Sequence, residues 1–505
     1  MKIAGLDIGT TGCKCTVFDE KGKYIDKAYR DYHVKRQLSG HEIDMVELRE
    51  SVLAVVSEMA HKYSDIAGLG VTSFGETFVL TDEFGEPLDV AMLYTDPRGA
   101  DECRELTDKL GEMHIAQITG VRPHEMYGIS KLMWIKKNKP EVYKAAKHCF
   151  QVEDFIVYTL SGVAQIDYSL ATRSMAFDIN TLDWNDEILS ASEIDKSLYP
   201  KAVPTGTPAG KIRPGVAKET GLAEDCIIVS ISQDQIAAAV GAGAFTSDVA
   251  VDGAGTVQCM TPIFDEKPDI EELFKGYFVA VPYVIPGKFV TYAFSYTGGA
   301  LTQWCTGTLA KKECDEASAL GKSVNELLEE KYAAKMKTLG LDADTPSGLL
   351  VLPHFAGAAT PYMDTGSKGA VIGLTTDTSA EEIYMGCLEG VCYEMYLIYL
   401  KLKNSGIKYR KFNATGGGAH SAVWMQMKAD MLNVPFTALK TVDAGTVGCA
   451  MLTGVAIGLF SDLDEAASIM VEETVTYYPR KEQHEKYMEI FKRYEKVYEA
   501  IRPLV

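Results

Sequence analysis

Four turns that combine glycines with hydroxyl side chains, and one carboxylate set in an apolar stretch, carry the chemistry available to this sequence. The first turn is Asp7-Ile8-Gly9-Thr10-Thr11-Gly12-Cys13-Lys14, where an apolar run ends on an acid followed by glycines and hydroxyls. Glycine lets backbone N–H groups come close to an anion, and the threonine hydroxyls add donors. Asp7 stands where it could hold Mg²⁺ through water, and Lys14 offers a positive charge on the returning segment. Gly253-Ala254-Gly255-Thr256 is a second cradle. Thr297-Gly298-Gly299-Ala300 is a third, at a strand-to-helix junction where free N–H groups and the helix dipole favour an anion. The fourth, Ala414 to Ser421, contains Gly416-Gly417-Gly418, against which a flat ring such as adenine can lie. Taken singly, each reads as a tight turn or a helix cap. Together, spread over two similar halves, they read as a nucleotide cleft. The pattern GxxxxGK[ST] is absent, which excludes a P-loop, and no GxGxxG follows a strand, which counts against a dinucleotide.

The carboxylate is Asp234. Ile227 to Gln233 reads as a buried strand, and the small residues through Gly241 read as a helix, so Asp234 lies at the strand's C-terminal end between two glutamines. Such an aspartate can simply cap the helix. Its surroundings are so apolar and small that an uncompensated charge there is costly, which favours a functional role. Phosphoryl transfer to an alcohol needs one carboxylate to accept the hydroxyl proton, and Asp234 is the candidate.

The elements that must position these groups alternate between strand and helix, which predicts an α/β fold. Lys2 to Asp7 and Cys13 to Asp19 read as strands around the first turn, Ile43 to Tyr63 as an amphipathic helix, and Ile66 to Ser73 as a buried strand. Near residue 245 the pattern restarts. Laying Gly255-Thr256 on Gly9-Thr10 superposes two strand-turn-strand elements, which predicts two duplicated domains, 1–245 and 246–505. In the second half, Asp315 to Met336 reads as a charged helical surface insertion, Ala380 to Leu402 as a long buried helix, and Gly445 to Phe460 as a buried helix too short to span a bilayer. Tyr478 to Ile501 reads as a polar, solvated C-terminal helix.

Composition narrows the class. The 505 residues are enough for two or three domains, and 47% hydrophobic with 24% charged residues excludes a disordered or low-complexity chain. With 50 Lys and Arg against 70 Asp and Glu, the net charge of −20 argues against nucleic acid or an anionic membrane as a partner. Eleven cysteines without a CxxC pair read as reduced thiols, and together with the lack of an apolar leader they point to the cytoplasm.

These residues resemble the FGGY family of carbohydrate kinases, within the actin-like, ribonuclease H-like ATPase superfamily. The resemblance runs from the first turn to Asp443-Ala444-Gly445-Thr446-Val447-Gly448. Its most specific stretch is Leu352-Pro353-His354-Phe355-Ala356-Gly357-Ala358-Ala359-Thr360-Pro361, continued by Gly369 to Leu374. It implies two ribonuclease H-like domains, sugar-binding and catalytic in the N-terminal half and adenine-nucleotide-binding in the C-terminal half, flanking a cleft for ATP-Mg²⁺ and a sugar or polyol. By the same matching, Asp234 is the catalytic base and Asp7 the metal residue, with Asp234 beside the metal. Gly9, Thr10, Thr11, Lys14, Gly255, Thr256 and Gly299 fall on the phosphate site, and Gly417, Gly418 and Ser421 on the adenosine site. Glu76, Thr77, Asp96 and Gln235 fall on the substrate pocket. Gly75-Glu76-Thr77 and Gln233-Asp234-Gln235 lean toward the glycerol-kinase branch, whereas Lys14 is nearer the xylulokinase type. A ketopentose such as xylulose is placed first, with another ketose, an aldonate or a short polyol open. A nucleotide-switched binding protein of the actin or chaperone kind and a non-catalytic sugar sensor are the readings from other classes. A homodimer is compatible with all of them.

Overall fold

A computed structural model describes residues 1–37, 40–440 and 443–505. The N-terminal half is built on β1 (Lys2–Ile8), β2 (Gly12–Phe18), β3 (Tyr24–Asp31), helix α1 (Met45–Lys62), β4 (Ile66–Ser73), β5 (Thr207–Lys211) and β6 (Ile227–Gln233), which runs into α2 (Asp234–Gly241). Its six strands lie in the order β5-β6-β4-β1-β2-β3. The inner pairs β1/β4 and β4/β6 are parallel and the outer pairs antiparallel. Parallel strands covered on both faces need continuous apolar runs, and β4 and β6 are buried along almost their whole lengths.

The C-terminal half repeats this plan. Its strands are β7 (Val249–Ala254), β8 (Gln258–Thr261), β9 (Ala293–Ser295), β10 (Lys411–Thr415), β11 (Phe436–Leu439) and β12 (Glu473–Tyr477). Its helices include α3 (Gly299–Leu309), α4 (Val324–Thr338), α5 (Ala380–Lys403), α6 (Ala422–Leu432), α7 (Ala444–Ala456) and α8 (Lys481–Tyr494). The order β12-β11-β10-β7-β8-β9 matches the first sheet strand for strand, again with parallel inner pairs. β1 ends at residue 8 and β7 at 254, while β2 opens at 12 and β8 at 258, so the offset of 246 residues seen in the sequence is the offset of the structural repeat. In the N-terminal half a further five-stranded antiparallel sheet (34–37, 40–43, 91–92, 78–81 and 148–151) carries the residues around Glu76.

The halves meet where α2 crosses α7. A Cβ added to Gly241 would fall 1.9 Å from the Ala444 carbonyl oxygen, and one added to Gly448 would fall 1.9 Å from that of Ala237. Each helix thus presents a small residue and a glycine one turn apart to the other, so the two backbones touch. α7 also lies on the first sheet, where a Cβ on Gly5 would fall 2.7 Å from the Thr446 carbonyl oxygen.

Two expectations need correction. The charged stretch after residue 310 is two helices, Lys311–Leu320 and α4, broken at Gly321 (φ +65°), and α4 contributes to a cleft rather than standing as a surface insertion. The C-terminal helix is not a solvated cap, because α8 buries Tyr487, Phe491 and Tyr494 against Tyr393 of α5. Among the described residues no helix is long and apolar enough to cross a membrane, and all eleven cysteines are free thiols, ten of them buried.

The crossing gives a paired test. Gly448→Ala forces the helices apart and is expected to lower stability by about 1–3 kcal/mol or more. Gly307→Ala, on an exposed helical position with no neighbour within 4 Å of the added carbon, should raise it by up to about 1 kcal/mol. Thermal melts of the two variants in one buffer should shift in opposite directions.

Candidate active site

β6 delivers Asp234 to the gap between the halves. Gln233, the last residue of the strand, caps α2: its side-chain oxygen accepts from the Gln235 amide at 3.2 Å, and its Nε2 donates to Asp234 Oδ1 at 2.7 Å. Asp234 is therefore the first residue of the helix and not its cap. Burial pushes its carboxyl up to about 7; the charges of Asp7 and Glu76 act in the same direction, against the Gln235 amide and Lys14. A carboxyl poised near neutrality suits the acceptance of an alcohol proton.

Asp7, the last residue but one of β1, faces Lys14 directly across the β1/β2 ladder. Lys14 Nζ lies 3.0 Å from Asp7 Oδ2 and 2.9 Å from Oδ1 of Asp443, the N-cap residue of α7. Burial raises the Asp7 pKa, Lys14 opposes it, and Asp443 adds to the rise. The turn itself is pinned by the Tyr32 hydroxyl, which donates to the Gly9 carbonyl and, at 3.2 Å, to that of Gly12. Among the described residues no group of three or more His, Cys, Asp or Glu forms a ready-made metal cage. Asp7 and Asp234 fit Mg²⁺ nonetheless, since that ion keeps several waters and takes one or two carboxylates plus phosphate oxygens.

Six of the expected nucleotide residues line one cleft of about 580 Å³: Gly255, Thr256, Gly299, Gly417, Gly418 and Ser421. The β7–β8 turn, the start of α3 and the turn after β10 supply them. Gly416 (φ +85°) lets that last turn press on β7, where an added Cβ would meet the Ala254 carbonyl oxygen at 2.6 Å. Ser421 caps α6, accepting from the Trp424 amide at 3.1 Å and donating to Glu329 of α4 at 2.9 Å. Gly9, Thr10, Thr11 and Lys14 are outside this lining, on the first turn beside Asp7.

The expected substrate residues divide. Glu76 is 7% exposed, holds φ +63°, and is ion-paired to Arg173, with its amide donating to Gln151 Oε1 at 3.2 Å. A glutamate kept in the left-handed region at such a place is strain maintained by its surroundings. Thr77 is fully buried, and its hydroxyl has no partner among the described residues. Gln235 follows Asp234 on α2 and is half-buried. Asp96 is fully buried and already engaged: Arg98 forks onto both its oxygens at 2.9 and 2.6 Å, and the His41 amide donates at 2.7 Å. Lys131, buried and pushed down to about 8 by desolvation, feels the charges of both Asp96 and Glu76.

Sequence reading missed Arg173, Tyr292 and Asp443. The Arg173 guanidinium lies over the rings of Tyr127 (5.1 Å) and of Tyr292 (5.2 Å), the latter from the C-terminal half, and the field of Asp234 reaches Tyr292. Arg173 Nη1 and the Tyr292 hydroxyl are buried with no partner among the described residues. The one signal for Arg173 was a lone charge in the apolar run from Leu170 to Phe177.

The sequence matches the family model described as the FGGY family of carbohydrate kinases, N-terminal domain, over residues 2–241, and the C-terminal domain of the same family over 258–457. The chain belongs to the FGGY family of carbohydrate kinases. It is 26% identical to a xylulose kinase of Bacillus subtilis over 99% of this chain and 97% of that one. It is 27% identical to a glycerol kinase of Oceanobacillus iheyensis over 99% and 98%. The crystal structure of a ligand-bound xylulose kinase from Lactobacillus acidophilus superposes with a TM-score of 0.87 at 23% identity, covering 99% of this chain and 98% of that one. As a carbohydrate kinase, the chain is a phosphotransferase with an alcohol acceptor, and the readings as a switch protein or a sensor fall away.

The raised pKa of Asp234 fixes two pH dependences. If Asp234 must be ionised to accept a proton, kcat/KM for the sugar should rise about tenfold per pH unit below about 7 and level off above it. The folded chain holds the Asp234 proton more tightly than the unfolded chain, so ionisation removes stability as pH rises from about 4 to about 7. Asp234→Asn should accordingly melt higher than the parent above pH 7, with the gain vanishing near pH 4.

Proposed function

We propose that this kinase transfers the γ-phosphate of ATP, bound with Mg²⁺, to a hydroxyl of a ketopentose such as xylulose. The observation that carries the choice of sugar is the match to the Bacillus subtilis xylulose kinase along the full length of both chains. Residues 1–245 are read as the half that takes the sugar and 246–505 as the half that takes the nucleotide. Gly417, Gly418 and Ser421 line the place for adenosine. The amides and hydroxyls of Gly9, Thr10, Thr11, Gly255, Thr256 and Gly299, with Lys14, receive the phosphates. Asp7, with Asp234 nearby, would hold Mg²⁺, whose chemistry there is to neutralise phosphate charge.

Glu76, Thr77 and Gln235 orient the sugar hydroxyls, with Asp96 and its Arg98 fork behind them. Asp234 accepts the proton as the sugar O–H bond breaks and an O–P bond forms to the γ-phosphorus. The bond between the γ-phosphorus and the bridging oxygen breaks, and ADP departs with its electron pair. Closure of the halves excludes water, which otherwise competes as acceptor. Reduced thiols and a nucleotide co-substrate suit the cytoplasm.

Phosphorylation of glycerol or another polyol is the second reading, favoured by the Oceanobacillus iheyensis relative and by Gln235 after the base. ADP release measured over pentuloses, hexuloses, aldonates and polyols separates the two: strong stimulation by xylulose alone is expected, and stimulation by glycerol alone transfers the assignment. Asp234→Asn should cut turnover by about 10²–10⁴ while ATP affinity stays within a few-fold. More than about a tenth of parental turnover in that variant removes Asp234 from the base role.

A further inference from the structure

Lys14 sits between two carboxylates that come from opposite halves of the molecule. It faces Asp7 across the β1/β2 ladder, so sheet geometry alone would pair these two. Asp443, however, takes the other side of the ammonium at 2.9 Å, against 3.0 Å for Asp7. Asp443 is anchored: it is the N-cap of the thirteen-residue α7, with its carboxylate toward the Thr446 amide. The same turn brings the α7 backbone onto Asp7 as well, since a Cβ on Gly445 would lie 3.3 Å from Asp7 Oδ2. The first turn of a helix of the C-terminal half therefore sets the surroundings of the metal residue of the N-terminal half.

The charges give this arrangement a consequence. Lys14 paired with Asp7 alone would neutralise it, and a neutralised carboxylate is a poor ligand for a hard cation. With Asp443 sharing the ammonium, Lys14, Asp7 and Asp443 together keep one negative charge. Ionised Asp234 makes it two, which matches a divalent cation.

We propose that Asp443 is a positioning residue for phosphoryl transfer: it draws the Lys14 ammonium to a point between two carboxylates and so keeps Asp7 available to the divalent cation on the nucleotide phosphates. This rests on the reading of Asp7 and Lys14 under Proposed function, and the test separates the two. Binding of ADP to the full-length enzyme is measured by calorimetry with and without Mg²⁺, alongside the Mg²⁺ dependence of turnover. In the parent, Mg²⁺ should tighten ADP; if it does not, the metal reading itself is wrong. In Asp443→Asn the Mg²⁺-dependent gain in ADP affinity should shrink about tenfold and the Mg²⁺ concentration for half-maximal rate should rise by a similar factor, with KM for the sugar unchanged. Asp443→Glu, which keeps the charge, should recover most of the loss.

The deciding arm is Lys14→Met. Because Asp443 acts through Lys14, adding Asp443→Asn to Lys14→Met should change the Mg²⁺ dependence by less than twofold. A parental Mg²⁺ dependence in Asp443→Asn overturns the proposal. So does a full additional loss in the double variant, which assigns Asp443 to the metal directly or to the fold of α7.

Discussion

The close crossing of α2 and α7 sets where everything else can be. Each helix follows a strand of its own sheet, β6 or β11, and each begins at a carboxylate, Asp234 or Asp443. With Gly241 against Ala444 and Gly448 against Ala237, the helices cannot slide or separate without losing backbone contact on both sides. The N-termini are thereby held in fixed relation to each other and to Asp7, on the strand over which α7 lies.

What the crossing assembles is an excess of negative charge at low solvation. Asp7, Asp234, Asp443 and Glu76 gather with Lys14, Arg173 and Lys131 among the nearby cations, and Arg173 is already bound to Glu76. Burial first, and then the neighbouring carboxylates, raise the pKa values of Asp7 and Asp234. A divalent cation relieves the same imbalance. On the proposed reading, a cation beside Asp7 would make the ionised form of Asp234 easier to sustain and so couple metal binding to proton acceptance.

Much of this was legible in the sequence, for identifiable reasons. The turn at Gly9 and its echo at Gly255 are local patterns, and local patterns survive without a structure. Asp234 was readable because a charge between a buried strand and a largely apolar helix has no oppositely charged neighbour close in sequence. Pairings across long separations left no such trace. Glu76 meets Arg173 from 97 residues away, and Ser421 meets Glu329 from 92. Helix α4 looked like a solvated insertion because charge periodicity cannot show that its first residues line a cleft or that its Glu329 accepts a hydrogen bond from Ser421. The C-terminal helix looked solvated for a related reason: its three buried tyrosine and phenylalanine side chains are outnumbered by charges, and burial depends on α5, which no local window contains.

The two copies of the duplicated element differ in where they carry their acid. In the first half the acid is the last residue but one of its strand, faces Lys14, and stays at the gap between the halves. In the second half the acid falls one position earlier on the repeat, at Asp252, and points into the interior. There it meets Lys428 of α6 at 2.7 Å; Gln258 donates to Asp252 and accepts from Lys428 at 3.1 Å, and both charged residues are fully buried. A buried pair of this kind adds little net stability, but removing one partner would strand the other, so the triad fixes α6 and its cap Ser421 against β7. With its acid neutralised inside, the second turn presents only backbone amides and hydroxyls to the cleft. A one-residue shift of a carboxylate along a strand thus leaves the first turn with an acid paired to Lys14 at the gap between the halves, and the second with a neutral surface of amides and hydroxyls.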